Sequence, residues 1–150
     1  MPDRASDEQT FKLYAWLAAS FRRGAIAELL ENTTRLLLVG MGESALRDLM
    51  NRYVAATPPV AFPTDEALSF RRYMLAHPVS VPGLEDVLKF ESALIEAAVD
   101  AVPTRVDVST DIDMALGEIR AGRLPGPSSK RPGTVLEVGV SPAPFVRALN

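Results

Sequence analysis

The 150-residue chain has no cysteine and a single histidine, His77. The first absence excludes a disulfide-stapled scaffold, thiolate metal centres and cysteine nucleophiles. The second leaves too few imidazoles for a histidine-rich metal site within one chain. Long apolar runs are also missing: the longest strongly apolar stretch, Leu36-Leu37-Leu38-Val39, is far too short to span a bilayer. Positive charge is in slight deficit, with a net charge of −3 and a pI near 5.2. That balance leans away from nucleic acid but leaves room for a local basic patch. The polar, acidic start, Met1 to Glu8, is unlike a signal peptide, so the expectation is a cytoplasmic protein.

What is present is an ordinary globular composition, 47% hydrophobic and 23% charged. It suits one domain, or a domain with a small appendage. Proline is in excess, 12 residues against an average usage of roughly 5%. All twelve fall between periodic segments and act as punctuation. The spacing predicts a helix over 7–23, opened by a Ser6/Gln9 capping box, with Phe11, Tyr14, Ala15, Leu17, Ala18 and Phe21 inward and a break at Gly24. A second helix carries Ile26, Leu29, Leu30, Thr33, Leu36 and Leu37, and a third covers 43–56. Thr64 is the expected cap of a fourth, which stops at His77-Pro78, and a fifth covers 84–99. Alternation at 105–108 and 134–140 predicts two strands, with a short helix over 111–121 between them and a loop over 124–133. The fold expected is mainly α, about five helices in a body over 1–102, with a small C-terminal β-α-β appendage over 103–150.

Several patterns invite a chemical reading. Gly40-Met41-Gly42-Glu43-Ser44-Ala45 matches a dinucleotide-binding fingerprint, but a proline-rich connector follows where a second parallel strand is required. A helix–helix turn explains it better. Asp107, Ser109, Asp111, Asp113 and Glu118 echo a calcium loop, yet Ile112 stands where the sharp turn needs glycine. A helix start at Thr110 to Asp113 accounts for the same acids. His77 reads as a helix C-cap rather than a base. Glu91 interrupts the apolar stripe of the fifth helix and needs a partner there. Arg71, between Leu68 and Leu75, predicts an Arg71–Glu91 or Arg72–Glu91 bridge of structural rather than catalytic character.

From Tyr53-Val54 onward the order of features is distinctive. It runs through Phe70-Arg71-Arg72-Tyr73-Met74-Leu75, Val81-Pro82-Gly83-Leu84-Glu85-Asp86-Val87 and Phe90-Glu91-Ser92-Ala93-Leu94 to Val106, Val108, Asp113 and Gly122-Arg123-Leu124-Pro125. This pattern, over about two-thirds of the chain, resembles the small partner proteins of multinuclear non-haem iron-dependent oxidative enzymes that modify ribosomally made peptides, and the related DNA-binding-domain proteins encoded beside them. The resemblance implies a non-catalytic subunit with no cofactor of its own, the iron lying on the partner enzyme. It implies a precursor's leader peptide as ligand and a peptide cysteine as the modified residue. The physical route expected is strand addition to an exposed sheet edge along Thr134, Val135, Leu136, Glu137, Val138, Gly139 and Val140, with a groove between helices as the other candidate. Two alternatives stand beside it. One is a helical DNA-binding or regulatory domain using Arg22, Arg23, Arg35, Arg47, Arg52, Arg71 and Arg72. The other is a stand-alone enzyme built on carboxylates and His77.

Overall fold

The apolar periodicity resolves into more and shorter helices than the spacing predicts. The computed structural model describes residues 4–140 and 142–149, side chains of 4–6 and 128 excepted. In order these form α1 (Arg4–Ala18), α2 (Phe21–Leu29), α3 (Glu31–Met41), α4 (Glu43–Ala56), α5 (Pro63–Ala76), α6 (Leu84–Asp100), β1 (Thr104–Thr110), α7 (Ile112–Arg120), β2 (Lys130–Gly139) and β3 (Phe145–Ala148), with a 3₁₀ turn at Pro127–Ser129. The described chain is mainly helical, with a small antiparallel sheet.

The one extra helix comes from two breaks, neither at proline nor glycine, that replace the expected break at Gly24. The first falls at Ala19-Ser20, where Ser20 is extended and its carbonyl accepts the Gly24 N–H, so Gly24 lies inside α2 rather than ending a helix. The second falls at Leu30, which separates α2 from α3. The expected start of the first helix also moves: α1 begins at Arg4, and the Ser6 side chain of the expected capping box lies outside the described residues. Its buried face is Leu13 and Leu17, with Phe11 74% and Phe21 60% exposed, so the aromatic pair does not lead the stripe. The cap of α5 is extended Phe62 rather than Thr64. Pro63 takes the first helical position, where its missing N–H costs nothing and its fixed φ is already helical. Gly42, at φ 84, turns α3 into α4, the helix–helix turn that the glycine pattern suggested.

The sheet has the order β1-β2-β3, both pairs antiparallel. Lys130 to Gly133, expected in a loop, belong to β2. Pro132 is tolerated there because β3 pairs only with 136–139, and the β1 ladder is irregular between Val108 and Thr110 opposite it. One apolar cluster joins body and sheet: Leu36, Leu37, Tyr53, Phe70, Val87 and Phe90 are continuous with Val106, Val108, Ile112, Ile119 and Val138. Asp86 of α6 adds a polar tie, its Oδ2 accepting the Ser109 N–H at 3.0 Å and hydroxyl at 3.1 Å.

Candidate functional site

Strand addition needs unpaired main-chain groups, which a sheet offers only at its edges. The Val135 carbonyl accepts the Leu149 N–H at 2.9 Å, so Val135 faces β3. In an antiparallel ladder the direction alternates along the strand. Glu137 and Gly139 therefore also face β3, opposite Arg147 and Phe145, while Thr134, Leu136 and Val138 face β1, opposite Val108, Val106 and Thr104. The segment expected to be an open edge is the middle strand: Leu136 to Val138 has a neighbour on each side, Gly139 pairs with β3, and Val140 lies just beyond the strand's end. A third strand at 145–148, not expected from sequence, covers it. The same alternation turns the main-chain groups of Val146 and Ala148 outward from β3, and those of Arg105 and Asp107 outward from β1.

Beneath β3 the inner face of the sheet is only partly covered. Val146 is 50% exposed, and a recess of about 250 Å³ is lined by Phe90, Ile112, Leu136 and Val146 and by the polar Thr110, Asp111, Asp113, Arg131 and Thr134. On the outer face, Glu137 lies between Arg147 and Arg105 and pairs with both. The Phe145 ring rests on Gly139, where a Cβ would come within 2.5 Å of it, so only glycine gives the ring that place. A larger recess, about 640 Å³, lies beside β1 between Glu85, Asp86 and Lys89 of α6 and Asp107 to Thr110.

The predicted Arg–Glu91 bridge does not form. The buried face of α5 is Ala67, Phe70 and Met74, whereas Leu75, half of the pair used to place Arg71, is 60% exposed. Arg71 accordingly meets Glu96 at 2.7 Å near the surface, and Arg72 is exposed. Glu91 is buried and caps α3 instead. Its Oε1 accepts the Asn32 main-chain N–H at 2.8 Å and its amide at 3.1 Å, and its Oε2 accepts the Thr33 N–H at 2.8 Å and its hydroxyl at 2.6 Å. A carboxylate at a helix N-terminus answers both the orphan donors and the macrodipole. Burial raises the Glu91 pKa, with the four hydrogen bonds pulling the other way.

Sequence reasoning missed a second buried carboxylate. Glu66, wholly buried, accepts the Arg22 Nε–H at 2.8 Å and the Tyr53 hydroxyl at 2.6 Å on one oxygen. Arg22 also donates to the Val54 carbonyl and lies over the Tyr53 ring. Burial, and then the Glu66 carboxylate, raise the Tyr53 pKa and keep the phenol a donor. This triad clamps α2, α4 and α5 together. Acid in the first turn of α5 was legible; that Glu66 rather than Asp65 turns inward was not.

The remaining candidates separate. His77 is exposed at the end of α5, stacked on Tyr73 with its Nδ1 3.1 Å from the Tyr73 carbonyl. Asp107 lies in β1, Asp111 caps α7 through the Met114 N–H, and Glu118 pairs with Arg123, so the calcium-like spacing does not converge. Among the described residues no cluster of acids and histidine is placed to hold a metal ion. Arg35 and Arg47 pair with Glu31 and Glu43 along their own helices, and Arg23 lies over Trp16, while Arg52 is exposed. Among the described residues no helix is long and apolar enough to cross a membrane. No family model matches the chain, and no curated protein or solved structure is similar to it.

Proposed function

We propose that this chain is a non-catalytic subunit that binds an extended peptide by strand addition at β3. In the role the resemblance implies, that peptide is the leader of a ribosomal precursor. The chain presents it to a multinuclear non-haem iron-dependent oxidative enzyme, which carries the iron and modifies a peptide cysteine.

One observation carries the reading: the outward main-chain groups of Val146 and Ala148 belong to an edge whose Val146 lines a recess of mixed character, apolar at Phe90, Ile112 and Leu136 and polar at Asp111, Asp113 and Arg131. An added strand would gain main-chain hydrogen bonds from the edge, and its alternate side chains would fall over the recess. That combination supplies affinity and specificity with no catalytic group. It also replaces the β2 edge with a neighbouring one on the same sheet.

The test is titration calorimetry with the leader peptide encoded beside the candidate enzyme, with and without that enzyme. Binding in the micromolar range is expected, about −8 kcal/mol. Ala148→Pro removes an outward N–H and no ladder bond, and Val146→Asp puts a charge into the recess. Each is expected to weaken binding at least about tenfold, a loss of about 1.4 kcal/mol, with circular dichroism unchanged. Undiminished binding in both variants, or none by the wild type under either condition, overturns the reading.

A further inference from the structure

We infer that the outer edge of β1 is a self-complementary surface through which two copies of this chain pair, joining their sheets into one. The inference stands apart from the peptide reading, which uses the opposite edge.

The outward residues of β1 are Arg105 and Asp107, and both side chains lie on the solvent face of the sheet. Asp107 is exposed and makes no ion pair among the described residues. Arg105 reaches Glu137 only at 3.8 Å and stays 71% exposed. Two antiparallel copies of β1 form narrow hydrogen-bonded pairs only where outward residues face each other. Three registers achieve this. Setting Arg105 against its own copy, or Asp107 against its own copy, places like charges opposite, which is unfavourable. Centring the two-fold axis on Val106 sets Arg105 of each copy against Asp107 of the other. Each pair then exchanges two main-chain hydrogen bonds and adds an opposite-charge contact, twice over by symmetry. The ladder Arg147–Glu137–Arg105 gains Asp107 of the second copy as its next member.

The ends of the strand agree with that register. Beyond Asp107 the edge is closed, because Asp86 takes the Ser109 N–H. Before Arg105 the chain exposes Val99 (56%) and Val102 (59%). The Val106-centred register confines the paired stretch to Arg105 to Asp107, short of the closed Ser109. The pairing leaves both β3 edges open.

The experiment is sedimentation equilibrium of the full chain. The wild type is expected to approach twice its 16.2 kDa mass as concentration rises through the micromolar range. Asp107→Arg is expected to weaken association about tenfold or more. Arg105→Asp should do the same, each variant keeping its circular dichroism. Mixed in equal amounts, the two variants present only opposite charges to each other and should associate where neither does alone. A wild type of single-chain mass at every concentration, an Asp107→Arg variant that associates undiminished, or a mixture that fails to pair overturns the inference.

Discussion

Two buried carboxylates carry much of the specificity of the helical body, and they answer different needs. Glu66 is one arm of an ion pair, so Arg22→Leu strands a charge in the core and should cost about 3–5 kcal/mol in urea unfolding. Arg22→Leu combined with Glu66→Leu should recover most of that loss, because no charge is left to desolvate. Glu91 is a cap, and Glu91→Ala should cost about 2–4 kcal/mol, since it orphans the Asn32 and Thr33 donors and opens a cavity. Its pH dependence has a definite sign. The native chain holds the Glu91 proton to higher pH than the unfolded chain does, so this group adds stability in acid. That increment fades as pH rises from the ordinary glutamate range through the raised value. The stability of wild type relative to Glu91→Gln should therefore rise as pH falls across that window; a flat difference would refute it. From sequence it was legible that Glu91 needed a partner. The partner was not, because Asn32 and Thr33 lie far away in the chain and reveal themselves as a helix start only once Glu91 arrives.

At the level of elements, the same fact explains why α2 and α3 read as one helix. A local cap such as Asp111 of α7 is written beside the helix it starts. The α3 cap comes from α6, so the sequence around Leu30 carries no signal. Helices whose ends are marked by proline or glycine, α4 and α6, keep their expected limits to within a residue. The sheet was half legible. Alternation at Val106 and Val108 marks β1, but a four-residue strand after Pro144 leaves too few positions for a period, and without β3 the middle strand looks like an edge. Beside the apolar packing of Val87 and Phe90, a polar tie from α6 to β1 is the Asp86 carboxylate. Asp86→Ala should cost about 1–2 kcal/mol and speed hydrogen exchange at the Ser109 amide. Asp86→Asn, which keeps an acceptor, should cost less. Equal exchange rates in wild type and Asp86→Ala would remove Asp86 from that role.

For the whole molecule, the described residues join helices and sheet in one apolar cluster, with ion pairs around it. Most of its arginines are matched to carboxylates on the surface or in the core. The feature that organises everything else is α6. Through Glu91 it holds α3, through Glu96 α5, through Asp86 β1, and through Phe90 the floor of the recess under β3. Sheet and helices are therefore expected to share one melting transition. A ligand or second copy, if bound at either sheet edge, would then stabilise the entire chain, by about 2.7 kcal/mol at a hundredfold excess over its dissociation constant. The helical ellipticity, followed through a thermal scan, becomes a gauge of binding at strands that contribute almost nothing to that signal.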